Sequence, residues 1–363
     1  MVQALRPPAE ARYAHELSAL AAADAGPRPP GWRLSPQAVR RFLIGGEVGG
    51  VALTRKFYGD DALVDRAIVT LMSQRGLLLV GEPGTAKSML SELLAAAVSG
   101  DSTLTVQGSA GTHEDQIKYG WNYARLLSEG PSLGALVKGP LYRGLEEGRV
   151  VRFEEITRCA PEIQDTLIGI MSDKVLIVPE LDGAAAQCFG QPGFNVIATA
   201  NLRDRGVHEM SSALKRRFNF ETVQPIPDRV AELALVLRET RAQLGEARAP
   251  AEVTEDVLDL LVTTFQDLRR GETEDGVVVE RPTTVMSTAE AVSVGVSAGL
   301  DAAYFGAGRL EPGHLARHLA GAIAQGQAED QERLDAYFDQ VVRRRAELSP
   351  LWRAFLEGRG GAG

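Results

Sequence analysis

Leu77-Leu-Leu-Val-Gly-Glu-Pro-Gly-Thr-Ala-Lys-Ser88 reads as three elements in succession. An apolar run ends at Gly81, a tight polar turn follows, and Lys87-Ser88 opens a segment from Met89 to Val98 with helical spacing of apolar residues. Strand, loop and helix in that order make a phosphate cradle. The backbone N–H groups of a Gly-rich turn converge on phosphate oxygens, and the helix N-terminus adds the positive end of its dipole. The predicted cradle is Gly81, Glu82, Pro83, Gly84, Thr85, Ala86, Lys87, Ser88 and Met89. Lys87 neutralises the terminal phosphates and the Ser88 hydroxyl ligates Mg²⁺, which makes a bound phosphate chain with Mg²⁺ the expectation.

The pattern G-x-x-x-x-G-K-[ST] expects Gly where this chain has Ala86. Alanine is tolerable there if the position is already right-handed and helical, leaving Gly81 and Gly84 to make the sharp turn.

Downstream, Gly148-Arg-Val-Val-Arg-Phe-Glu-Glu-Ile-Thr-Arg158 is a β-rich run ending in two carboxylates. Beside a phosphate loop, such a strand end can hold Mg²⁺ and polarise the attacking water. Side chains alternate along a strand, so the natural division gives Glu154 to the metal and Glu155 to water activation. A second strand, Phe194 to Ala200, ends in Asn201, and the strand ends of open parallel sheets are where ligands bind. Asn201 could equally cap the strand. Lys215-Arg216-Arg217 precedes Phe218 and is either a solvated face or the source of an arginine aimed at a phosphate.

Around these motifs the predicted α/β pattern begins at Phe57. Helices are expected at Asp61–Met72, Met89–Val98 and Ala160–Met171, and short strands at Leu77–Val80, Leu104–Gln107 and Val175–Val178. Val175–Val178 could be one arm of a hairpin. Trp121 and Tyr123, in the polar stretch from Gly108 to Leu127, read as helix-packing aromatics, although an insertion there could face a partner. Residues 1–56 look like a helical appendage, with a flexible connection from Gly45 to Gly50. Beyond Pro227 the periodicity is almost wholly helical, and Asp330 to Glu347 reads as a charged, exposed helix before a disordered Gly-rich tail.

Bulk properties narrow the function. Forty-four per cent hydrophobic residues over 363 positions support a packed core, and no run of eighteen apolar residues occurs. With no secretory pattern at the N-terminus, a cytoplasmic location is expected. A net charge of −9 argues against general nucleic-acid binding. Cys159 and Cys188 lack metal-site spacing and read as reduced thiols. His314 and His318 are one helical turn apart, but no Glu intervenes as in H-E-x-x-H and no third ligand is visible, so no metal site is expected there.

Gly81–Ser88, Glu154-Glu155, Asn201 and Arg216-Arg217-Phe218 together resemble, in order and rough spacing, an AAA+ ATPase, and most of all the MoxR group. In that group Ala before the loop lysine is ordinary. Lys138-Gly-Pro-Leu141 also looks like the group's Gly-Pro-hydrophobic stretch. The resemblance covers roughly residues 57–325 and implies an αβα sandwich with a parallel sheet followed by an all-helical lid. It implies Glu155 as catalytic glutamate, Asn201 as the sensor-1 polar residue, Arg217 as an arginine finger reaching a neighbouring subunit, and Arg281 as sensor 2. The region Val175 to Gly193 is similar to the family's insertion in the helix after the acidic strand, which faces the central pore and its clients.

Two positions depart from the group's pattern: Glu154 stands for the usual aspartate and Thr157 for an asparagine. The expected organisation is an extension (1–56), a nucleotide-binding domain (57–226), a helical lid (227–325), and a charged helix with tail (326–363). The implied assembly is a homo-hexamer that hydrolyses ATP to remodel a protein client, with a von Willebrand factor A domain protein as adaptor. The alternatives are the motor subunit of a metal chelatase and a slow nucleotide-gated scaffold.

Overall fold

The computed structural model describes residues 6–201 and 206–359. They divide into two compact units, one of residues 6–82 and 86–223, the other of residues 83–85 and 224–359.

Five parallel strands form the centre of the first unit: β1 Gly76–Val80, β2 Thr105–Gln107, β3 Val150–Glu154, β4 Asn195–Ala200 and β5 Phe218–Thr222. Their order is β5-β1-β4-β3-β2. Every residue of β1 and β4 is buried, as expected for inner strands of a parallel sheet covered on both faces. The register aligns Val80 with Ala200 and Thr222, so the carboxyl ends of three strands meet at one edge. Helix α1 Asp61–Met72 leads into β1, while α2 Lys87–Ser99 and α3 Pro161–Asp173 lie in crossovers between sheet strands.

The expected appendage is packed. Leu17, Leu20, Trp32, Leu34, Phe42 and Leu43 are buried in one cluster with Leu63, Leu90 and Leu93 of α1 and α2. The expected flexible link instead forms an antiparallel pair, Gly46–Val48 with Val51–Leu53. Lys56 is buried yet satisfied: its Nζ donates to Glu16 Oε2 at 2.5 Å and to the Phe42 and Thr54 carbonyls.

Two further hairpins project from the sheet unit. Tyr119–Trp121 pairs with Leu136–Lys138, and Val175–Ile177 pairs with Gln187–Phe189. Tyr123 is therefore no packing aromatic: it begins a short helix with no buried residue and is 74% exposed. The second pairing makes Val175–Ile177 one arm of a hairpin, as its sequence suggested, with Gln187–Phe189 as the other arm.

The second unit is helical: α4 Arg229–Glu246, α5 Glu255–Arg270, α6 Thr288–Tyr304, α7 Pro312–Ile323 and, at the end, α8 Pro350–Arg359. The charged stretch expected to be exposed is half core. Leu334, Tyr337, Phe338, Val341 and Val342 are buried, because their spacing lines one helical stripe while the charges occupy the other side. Asp330, fully buried, accepts hydrogen bonds from the Thr283 and Thr284 backbones and pairs with Arg333. Gly358 is helical and lies so close to Gly313 of α7 that an added Cβ would come within 2.3 Å of it. Of the expected disordered tail, residues 360–363 lie outside the described residues.

Candidate active site

The phosphate-loop stretch leaves β1 through Gly81 (φ 158°) and Gly84 (φ 72°) and enters α2. Ala86 is not right-handed as anticipated. It adopts φ 66°, ψ 22°, the left-handed region, as the residue capping α2. A Cβ is disfavoured there, so Ala86→Gly should raise the unfolding free energy by about 1 kcal/mol, after allowing for the greater flexibility of Gly in the unfolded chain. Urea denaturation monitored by circular dichroism checks the sign.

Helix α2 starts without a side-chain cap and without an acidic residue in its first turn, which leaves its leading N–H groups available to an anion. Lys87 is 7% exposed, and its Nζ donates to the carbonyls of Gly81 (3.1 Å) and Glu82 (2.6 Å). The amine thus arches back over the loop that precedes it.

Glu154, the last residue of β3, is the hub of a hydrogen-bond network. Its Oε2 accepts from Ser88 Oγ (2.7 Å) and Thr199 Oγ1 (2.8 Å), and its Oε1 from Ser91 Oγ (2.6 Å) and Arg152 Nη2 (2.7 Å). Burial alone would push this carboxyl up. The Arg152 guanidinium and the hydroxyls of Ser91, Ser88 and Thr199 outweigh it and hold the group below its ordinary value. A serine hydroxyl and a carboxylate oxygen 2.7 Å apart are hard oxygen donors of the kind Mg²⁺ takes, so the residues present fit that ion.

Glu155 follows the strand in a left-handed conformation, φ 54°, ψ 45°. Its N–H donates to Thr199 Oγ1 (2.9 Å), which fixes the turn, and its carboxylate lies 2.5 Å from Arg158 Nε. Such strain persists where surrounding contacts over-determine it. Gly108 is required alongside, since a Cβ there would come within 2.4 Å of the Glu155 carbonyl. Thr157 is buried, and its Oγ1 has no hydrogen-bond partner among the described residues.

The remaining predicted residues are placed as follows. Asn201 directly follows β4 and is half-buried. Arg217 donates from Nε to Ser172 Oγ (2.9 Å) and from Nη1 to the Ala213 carbonyl (3.3 Å), whereas Arg216 is exposed with no side-chain partner among the described residues. Arg281 does not open a helix: α6 begins at Thr288 with Ser287 as its cap, and the Arg281 guanidinium donates to the Arg270 carbonyl at the end of α5. The histidine pair is taken up locally. His314 Nδ1 accepts the Glu311 N–H, and His318 Nε2 lies 3.2 Å from Asp301.

Sequence reasoning missed Arg152, Ser91 and Thr199. The first two had a signal. Arg152 shares a strand face with Glu154 at i, i+2, and Ser91 shares a helix face with Ser88 at i, i+3. Thr199 was one hydroxyl in an apolar strand.

A strand-loop-helix cradle at the carboxyl edge of a β5-β1-β4-β3-β2 sheet, with acidic residues closing β3 on the far side of β4, defines a P-loop nucleotide-binding module of the AAA+ class. The AAA domain of the dynein-related subfamily matches residues 76–218, and the YehL-like AAA+ ATPase C-terminal domain matches residues 230–362. The uncharacterized protein YehL of Escherichia coli (strain K12) is 51% identical over 355 residues, spanning 98% of this chain and 96% of that one. An uncharacterized protein of Staphylococcus aureus (strain USA300) is 27% identical over 168 residues, or 46% of this chain and 62% of its own length. A solved structure from Cytophaga hutchinsonii covers 88% of this chain and 93% of its own at 14% identity, but its TM-score of 0.40 is too low to bear on the fold. The chain belongs to the YehL-like family of AAA+ ATPases, and the AAA+ domain makes it a nucleotide-binding protein. Among the described residues no helix is long and apolar enough to cross a membrane.

Proposed function

We propose that the chain is the motor subunit of a MoxR-type ring, a homo-hexamer, that hydrolyses Mg²⁺-ATP to remodel or activate a protein partner. The observation that carries this reading is the Ser88–Glu154–Thr199–Glu155 chain of hydrogen bonds, which joins the start of α2 to the ends of β3 and β4. Lys87 binds the β- and γ-phosphates, exchanging its two loop carbonyls for phosphate oxygens. Ser88 and Glu154 hold Mg²⁺, which when bound neutralises charge on the phosphate oxygens. Glu155 accepts a proton from the attacking water, Asn201 orients that water, and Arg217 completes the pocket of an adjacent subunit. A protein with a von Willebrand factor A domain, as adaptor, and a protein client follow from the MoxR reading.

Lys87→Ala tests it. The variant should lose ATP binding by at least about tenfold, because a charge-assisted contact to phosphate is removed, as read by fluorescence titration with a labelled nucleotide. Wild-type affinity in that variant would overturn the phosphate-loop assignment.

One observation favours a slower device. All four acceptor positions of Glu154 are already engaged within the chain, and Glu155 is ion-paired with Arg158. Under that reading the subunit binds ATP and turns it over only when a partner rearranges the site. Steady-state phosphate release with and without co-purified partner separates the two.

A further inference from the structure

Arg152 lies on the same face of β3 as Glu154 and is held through all three of its guanidinium nitrogens. Its Nε donates to Ser91 Oγ (2.9 Å), Nη1 to the Ser102 carbonyl (3.1 Å), and Nη2 to both the Ser88 carbonyl (3.1 Å) and Glu154 Oε1 (2.7 Å). With a side chain only 11% exposed, it is a fixed part of the pocket wall. An ionised carboxylate offers about four lone-pair positions. In Glu154 these are taken by Ser88, Thr199, Ser91 and Arg152. A divalent cation approaching Ser88 therefore meets a carboxylate that is already hydrogen-bonded throughout and neutralised by a guanidinium. The neighbouring Glu155 is likewise paired with a guanidinium, that of Arg158.

We propose that Arg152 keeps Glu154 closed to divalent cations until a triphosphate is present, so that metal enters the pocket with the nucleotide and never ahead of it. The inference rests on the phosphate-loop reading and adds an order of binding to it. The phosphates bring the negative charge that Arg152 cancels in the nucleotide-free pocket. Once they are seated, Ser88 can turn its hydroxyl from Glu154 to the metal. Arg152 is thus a positioning residue, acting through Glu154.

The test uses the full chain without nucleotide and Mn²⁺ alone as the probe, with free Mn²⁺ read by electron paramagnetic resonance. Wild type should show no saturable binding at this site. R152Q should gain saturable Mn²⁺ binding, at least about tenfold above the weak, unsaturated wild-type signal, as expected on removing a neighbouring unit charge, and the R152Q/E154Q pair should lose that gain. R152K, which keeps the charge, should behave as wild type. R152Q with a native circular dichroism spectrum, normal ATP affinity and no gain in Mn²⁺ binding would sink the proposal. So would saturable Mn²⁺ binding by the nucleotide-free wild type that E154Q abolishes, a measurement that needs no Arg152 variant to fold. A wild-type chain that binds no ATP would instead defeat the phosphate-loop reading.

Discussion

Glu155→Gln should leave nucleotide affinity within a few-fold of wild type and cut steady-state ATP hydrolysis by about 10²–10⁴, the range typical of removing a positioned general base. The amide keeps the shape of the carboxylate but cannot take the proton of the attacking water. Fold is preserved because the residue is held by its backbone: the Glu155 N–H to Thr199 Oγ1 bond and the left-handed turn do not involve the carboxylate. What the substitution does remove is the partly exposed ion pair with Arg158, an interaction of the kind worth about 0–1 kcal/mol. The melting temperature should therefore hardly move while phosphate release collapses. Turnover within threefold of wild type, with ATP still bound, would remove Glu155 from the chemistry.

The second large effect is expected at Arg217. If its guanidinium completes a neighbour's pocket, Arg217→Ala should cost about 10³–10⁵ in turnover, as loss of an arginine finger does, with nucleotide affinity largely retained. Within its own chain Arg217 is held by Ser172 and the Ala213 carbonyl, a partly fixed side chain at the entry to β5. Arg216 next to it is exposed, so Arg216→Ala serves as the comparison and should retain most activity. Mixing Arg217→Ala with Glu155→Gln subunits should restore some hydrolysis, because a mixed interface can pair an intact Glu155 with an intact Arg217. Absence of rescue at every ratio, once mass spectrometry shows that the subunits mix, would count against action in trans. A collapse on Arg216→Ala with Arg217→Ala active would move the finger by one residue.

The class of fold and the strand-loop-helix over 77–98 could be read from the chain alone because both rest on short-range rules. An apolar strand, a Gly-rich turn and a helical period over 77–98 specify β1, the loop and α2 without reference to anything distant. In the second unit α4 to α7 fall where the periodicity beyond Pro227 reads as helical, but the period does not mark where each helix ends, and α8 was not foreseen. What could not be read was how isolated groups are used. The charges of residues 330–347 masked an apolar stripe whose burial depends on α7 and α8 being there to cover it. Gly45 to Gly50 looked like a linker because hairpin pairing lies in the partner strand, not in the glycines.

Within the site the same division holds. Lys87, Ser88, Glu154 and Glu155 announce themselves by type and spacing. The handedness of Ala86 does not, since it is set by the path that β1 and α2 impose on the loop. Arg152, Ser91 and Thr199 come from three separate elements, and only the parallel register of β3 and β4, with α2 laid against them, brings their polar atoms to one carboxylate. Sequence determined that a triphosphate-type loop and an acidic strand end exist, because each is encoded in consecutive residues. Tertiary structure alone decided that Glu154 is already paired on every side, because hydrogen bonds of under 3 Å depend on backbone placement over 45 to 66 residues of separation.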